Sequence, residues 1–380
     1  MTNPNILISG AGVAGPALAY WLRRYGFAPT VVERAPEPRA GGYAVDFRGE
    51  AMTVLERMGI LDEVRKYSTG IRDSEVVDGA GKYLVTMPSA IFAGDLEVLK
   101  SDLTDILYEL TKHETEYIFD NSITALTEDE SGVLVSFESG PAQRFDLVVG
   151  ADGLYSKVRA LVFGEHSQFI RHLGVYNAII STENFLGLDH EGRACQLGNG
   201  KSVNVFSVRN NAEARASFYF GSEPLDYNRQ DLDEQKRIIT ERFAGDGWEV
   251  PRLLGELAAA TDLYFTPISQ VQMDSWSTGR VVLLGDACAC ASPMSGRGTS
   301  QALIGAYVLA GELASAAGDY THAFAAYERE LRDYVKINQD GAHEVVGMLF
   351  AEPPPQEVFD AMAANPPEEE PDALTLKTYR

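Results

Sequence analysis

Apolar residues fall along this chain in two arrangements: short unbroken runs closed by glycine or a polar turn, and longer stretches in which they recur every three or four positions. The runs predict strands at residues 5–9, 30–33, 133–137 and 145–149, and the helical spacing predicts helices at 16–25, 51–58 and 102–111. Strands and helices interleaved in this way make residues 1 to about 170 an α/β unit. From about 171 to 275 the character changes. Segments at 175–180, 202–208 and 214–220 predict antiparallel sheet, interrupted by a polar helix at 231–243. The apolar run at 280–284 then ends in Gly285 and Asp286 and reads as the first unit resuming, which makes that unit discontinuous. Long helical patterns follow at 299–316 and 320–338, and prolines at 353–355 and 366–367 mark a loosely held C-terminal segment, 341–380. There are no internal repeats.

The first strand and helix enclose Gly10, Gly12 and Gly15, a G-x-G-x-x-G turn. The next strand ends at Glu33, roughly 20 residues on, the distance at which an acid reaches a ribose hydroxyl. Gly10 permits the tight turn, Gly12 lets a pyrophosphate approach the backbone, and Gly15 lets helix and strand pack closely. The helix N-terminus supplies positive dipole to the phosphates. Glycines also punctuate ordinary loops, but here strand, helix and acid stand in their places, so a dinucleotide site is expected.

Composition narrows the partners. The 380 residues are 45% hydrophobic and 10% aromatic, enough for two domains and a sizeable core. A formal charge of −23 repels nucleic acid and anionic membrane, so neither is expected as a partner. The chain opens directly into a strand, without a basic segment and apolar h-region. No apolar stretch approaches the roughly 18 residues of a membrane span, and a cytoplasmic protein is expected. Cys195, Cys288 and Cys290 lack partners at metal spacing and read as small buried apolar residues.

Three further segments carry chemistry. A strand runs into Gly150, Ala151, Asp152 and Gly153, with Ser156, Lys157 and Arg159 opening a helix. The strand at 280–284 offers the Asp286 carboxylate to sugar or ribitol hydroxyls, and Pro293, Gly296 and Gly298 form a loop that opens the helix near Thr299. Together with the fingerprint and the segment 97–103 (EVLKSDL), this ordered set resembles the FAD-dependent aromatic hydroxylases, the class A flavoprotein monooxygenases. Residues 10–16 (GAGVAGP), 41–49 (GGYAVDFRG), 185–190 (FLGLDH) and 292–296 (SPMSG) are similar to the tetracycline-inactivating monooxygenases.

The resemblance implies an α/β fold: a discontinuous FAD-binding Rossmann-like domain, 1–170 plus 276–340, with an inserted antiparallel-sheet substrate domain, 171–275, and C-terminal helices. Residues 60–100 would contribute to the substrate region. It places Glu33, with Arg34 beside it, at the adenosine ribose, Asp46, Lys100 and Asp286 at FAD, Arg39 at the nicotinamide cofactor, and Asp152 and Gly153 where FAD and NADPH (or NADH) binding are coupled. The implied reaction hydroxylates a polycyclic aromatic or enol substrate, tetracyclines among them, with dioxygen through a flavin hydroperoxide. The flavin carries the chemistry, and no protein residue is assigned as catalytic. Asp46 and Asp152 also read as ordinary turn residues ending strands.

Four positions depart from the family. Lys100 stands where Arg is usual, giving a point charge in place of a planar fork. Arg297 and Ser300 replace Gln and Asn, and Ala289 stands where many members have His. Phe206, Phe218 and Phe220 are candidates either to line a substrate cavity or to fill plain core. A nicotinamide dehydrogenase would share the fingerprint but has no use for the strand end at Asp286. A halogenase would need two tryptophans one residue apart, whereas Trp21, Trp248 and Trp276 are scattered. A biosynthetic polyketide hydroxylase, and a flavin- or drug-binding protein without turnover, stay open.

Overall fold

β1 (Asn5–Ser9) lies inside a six-stranded sheet between two parallel neighbours, residues 28–32 brought back by a helix and residues 147–150 by way of a small antiparallel sheet. The sheet runs β17 (Ser277–Thr278), β18 (Val281–Leu283), β11 (Leu147–Gly150), β1, β2 (Ala28–Val32), β7 (Glu116–Ile118). Residues 4–38, 43–364 and 374–379 are described in this structure, a computed structural model. The late return of the chain to the first sheet is seen in the parallel register Val149↔Val282. Such strands are covered on both faces, which is why Ile6, Leu7, Ile8, Val148 and Val149 are continuous apolar runs. Their cover includes α1 (Ala14–Arg24), α5 (Lys100–Thr111) and α11 (Gly298–Ser315); α11 is buried from Ser300 to Leu313, having no polar face to show to water.

The strand expected at 145–149 is two. β10 (Gln143–Phe145) belongs to a small antiparallel sheet with β8 (Ile123–Asp129) and β9 (Gly132–Phe137), and the chain crosses to β11 at Asp146, whose carboxylate accepts from Asn5 N–H at 2.7 Å.

The second large sheet has the order β16 (Tyr264–Val271), β12 (Ile170–Thr182), β15 (Glu213–Gly221), β14 (Lys201–Val208), β13 (Glu191–Gly198), β4 (Asp73–Asp78), β5 (Tyr83–Pro88). It is antiparallel as expected except where β4 meets β13, because β4 and β5 come from a far earlier part of the chain. α8 (Leu232–Phe243) and α9 (Val250–Ala259) cover one face over Tyr176, Phe218, Phe220, Val203 and Val205. Phe218 and Phe220 are therefore core, not cavity lining. Period-two alternation puts Asn177, Tyr219, Ser217, Ser202, Phe206, Thr266 and Tyr264 on the other face. Between the two large sheets the ribbon β3 (Ala44–Phe47) and β6 (Leu96–Leu99) pairs antiparallel.

The remaining helices are α2 (Glu50–Met58), α3 (Leu61–Arg65), α4 (Ser89–Phe92), α6 (Lys157–Val162), α7 (His166–Phe169), α10 (Asp286–Ala289), α12 (Tyr320–Met348) and α13 (Gln356–Ala364). The C-terminal segment is not loose where it is described. Phe359 of α13 packs with Val76 and Val85, and the Gln356 amide accepts from Thr86 N–H at 2.8 Å and donates to Thr86 C=O at 3.2 Å. Leu374 and Leu376 are buried, and Tyr379 donates to Glu312 at 2.8 Å.

Candidate active site

The glycine turn is shaped by contact at two positions and by open space at the third. A Cβ on Gly10, whose φ is +107°, would lie 2.5 Å from the Ala151 carbonyl oxygen, and one on Gly15 would lie 1.9 Å from that of Gly10. A Cβ on Gly12 would meet nothing within 4 Å, so that glycine leaves room for a ligand. α1 begins there with no side-chain cap and no acid in its first turn, leaving its leading N–H groups to an anion. Glu33 accepts from Ala11 N–H at 2.8 Å and from Ala35 N–H at 2.9 Å, and its carboxylate is thereby fixed at the mouth of the turn. Arg34 is exposed beside it, and Arg39 lies outside the described residues.

The Asp-Gly turn after β11 is built differently. Asp152 accepts from the Ser156 hydroxyl at 2.5 Å and from Lys157 and Val158 N–H at 2.7 and 3.1 Å, so its carboxylate caps α6. Burial pushes its pKa up while these bonds hold it down. Gly153 has φ +80° and open space beside it. Sequence reasoning gave no role to Arg159, which is fully buried and donates to the carbonyls of Ala287 at 2.7 Å and Leu154 at 2.6 Å. It ties this turn to α10; the available signal was an arginine set among apolar positions of a short helix.

Asp286, Lys100 and Asp46 come together from three separate elements. Asp286 opens α10 beside Gly298, whose Cβ would lie 3.9 Å from its carboxylate. Burial raises the Asp286 pKa and the Lys100 charge opposes the rise, so the lysine is its electrostatic partner. Lys100 Nζ donates to the Tyr43 hydroxyl at 3.1 Å. Pro293 starts a single 3-10 turn that ends at Gly296 in the left-handed region, φ +61°; a Cβ there would lie 3.2 Å from Asp46 Oδ2. Ser300 bridges the loop's helix to the ribbon, accepting from Arg48 N–H and donating to Asp46 C=O, both at 3.3 Å. Ala289 is buried, so no side chain reaches into the cleft from that position.

Tyr43, Asp46, Glu97, Asp286, Tyr219 and Tyr264 share one property. Each keeps accessible surface, yet burial is the largest cause of its raised pKa. Groups deep in a protein that still expose surface line a cleft. On its sheet wall, the buried Asn177 Oδ1 and Ser202 Oγ have no hydrogen-bond partner. No group of three or more His, Cys, Asp or Glu suited to a metal occurs among the described residues, and none of their helices is long and apolar enough to cross a membrane. The open pyrophosphate cradle, the acid at the ribose distance and the carboxylate at the far end of the same cleft fit a flavin dinucleotide.

Residues 4–340 match the family model of the FAD binding domain. The chain belongs to that family and is a flavoprotein monooxygenase. It is 43% identical to the uncharacterized protein Rv1260 of Mycobacterium tuberculosis over 98% of this chain and 99% of that one. It is 40% identical to a flavin-dependent monooxygenase of Legionella longbeachae, over 89% of this chain and 87% of the relative. Among solved structures, the tetracycline destructase Tet(55) superposes with a TM-score of 0.88 at 38% identity, covering 100% of this chain and 99% of its own.

Proposed function

We propose that the protein binds FAD along the line from Gly12 through Glu33 to Asp286 and, with NADPH or NADH as electron donor and dioxygen as co-substrate, hydroxylates an oxygen-rich polycyclic substrate of the tetracycline type. The observation that carries this is the convergence of Asp46, Lys100 and Asp286 where the cofactor motifs meet the polar face of the seven-stranded sheet, the Tyr43 and Tyr264 rings lying 5.0 Å apart across that meeting. When bound, reduced flavin supplies the dioxygen chemistry that no side chain can perform.

The chain's own residues bind, orient and enclose. Glu33 holds the ribose end, the uncapped start of α1 faces the pyrophosphate, and Asp46, Lys100 and Asp286 hold the distal part. The start of α11 points positive dipole at the cofactor ring, and the Pro293 to Gly298 loop shapes the approach. The face of the seven-stranded sheet that carries Asn177, Tyr219 and Thr266 gives the substrate side its polar character. Arg39 serves the nicotinamide cofactor, and Asp152 and Gly153 shape the turn between the cofactors. The cofactor domain comprises 1–170 and 276–340 and the substrate domain 171–275, with part of 60–100 joining the latter. The protein acts in the cytoplasm, where its three free, buried cysteines stay reduced.

The test is to incubate FAD-loaded protein with NADPH, labelled dioxygen and a panel of polycyclic phenols that includes tetracycline. A product heavier by one labelled oxygen atom is expected. NADPH consumption that yields only hydrogen peroxide across the panel would refute the substrate class.

A further inference from the structure

One contact in the cleft joins Tyr43 to Tyr264. Tyr43 precedes β3 on the cofactor wall and Tyr264 opens β16 on the opposite sheet, and their rings lie 5.0 Å apart at 45°. Lys100 donates to the Tyr43 hydroxyl at 3.1 Å and its ammonium stands 5.1 Å from the Tyr43 ring centre. Both phenols feel the charge of Asp286, and each alters the acidity of the other. A phenol that accepts from an ammonium must turn its own proton away from it. Here that direction is the cleft: the Tyr264 hydroxyl donates to the Tyr43 oxygen, which lowers the Tyr43 pKa and raises that of Tyr264, so the Tyr43 proton is left for the side on which the phenol keeps accessible surface. A planar guanidinium in place of Lys100 would spread its donors over several acceptors; a single ammonium leaves the Tyr43 oxygen as its defined target.

We propose that Tyr43 donates a hydrogen bond to the bound flavin, with its proton aimed by Lys100, and that Tyr264 is a positioning residue through which the seven-stranded sheet holds Tyr43 in place. The proposal rests on the FAD reading above. It makes the Tyr43 and Tyr264 pair an aromatic contact that joins the two walls at the cofactor motifs, so the state of the sheet is passed to the cofactor through this pair.

FAD titration of apo-protein and the midpoint potential of the bound flavin test this in wild type, Tyr43→Phe, Tyr264→Phe, Lys100→Arg and Tyr227→Phe. Tyr43→Phe is expected to weaken FAD about tenfold and to shift the potential, by about 30 mV for a tenfold change in the ratio of reduced to oxidised affinity. Tyr264→Phe keeps the ring, and is expected to move both quantities in the same direction by about a third as much; Lys100→Arg is expected to move the potential as well. Tyr227→Phe, on the other face of the sheet, is expected to match wild type. Wild-type FAD affinity and potential in Tyr43→Phe would overturn the proposal. So would a Tyr264→Phe protein with a lowered melting temperature but an unmoved potential. Failure of the wild type itself to bind FAD would instead remove the cofactor reading on which the proposal stands.

Discussion

Asp46 and Glu97 stand directly opposite each other across the β3 and β6 ribbon, an acid facing an acid inside the cleft. Like charges at such positions repel, and burial raises the repulsion, so the pair holds a proton between them. Burial first, and the Asp46 charge second, push Glu97 up to about 8, while the Thr69 hydroxyl, donating to Glu97 at 2.6 Å, opposes the rise. Arg48 draws Asp46 the other way. The folded-state pKa of Glu97 is therefore above its unfolded value. The stabilisation is complete below the ordinary glutamate range and is lost as pH climbs toward about 8. Glu97→Gln keeps the shape without the charge. Apo-protein carrying it is expected to gain on wild type by roughly 1 kcal/mol between pH 6 and pH 9, read as melting temperature at each pH. Parallel melting curves at the two pH values would remove the shared proton.

The glycine turn separates cofactor loss from fold loss. Gly12→Val places a side chain in open space, so the protein is expected to fold with near-native melting temperature yet purify colourless and stay so after soaking in FAD. Gly15→Ala drives its methyl into the Gly10 carbonyl and is expected to cost about 3 kcal/mol or more of stability, measured by denaturant unfolding. A yellow Gly12→Val protein would contradict the cradle.

The two strand-end aspartates are expected to respond in opposite ways. Asp152→Ala removes a helix cap and should cost about 1 kcal/mol of stability with FAD affinity nearly unchanged. Asp286→Ala removes a desolvated charge whose partner is Lys100, and should weaken FAD at least tenfold while leaving the melting temperature of apo-protein within a few degrees. Isothermal titration and thermal melts on the same samples decide it, and equal FAD losses in both variants would reverse the assignment for Asp152.

Much of the cofactor wall is legible in the sequence because each motif is a strand end followed by glycine, a pattern that survives without tertiary knowledge. Gly10, Gly15 and Glu33 sit where backbone sterics and hydrogen bonding require them. The sheet wall is less legible. β4, β5, β13 and β16 are short or carry polar residues on their cleft face, so alternation reads as mixed polarity, and no strand was expected there. α9 was missed behind its proline, which in fact sits in the first turn where its absent N–H costs nothing. The contact of Tyr43 with Tyr264 joins residues over two hundred positions apart, beyond any local pattern. Asp152 shows the reverse case: the turn-residue reading accounts for all three of its hydrogen bonds.

β5 ends the larger sheet, and an outermost strand ordinarily offers its amides to any passing chain. The Gln356 carboxamide meets Thr86 with the same donor and acceptor that a further strand would present. One side chain, carried in by the helix that also seats Phe359, thus terminates the sheet and guards that margin against self-association.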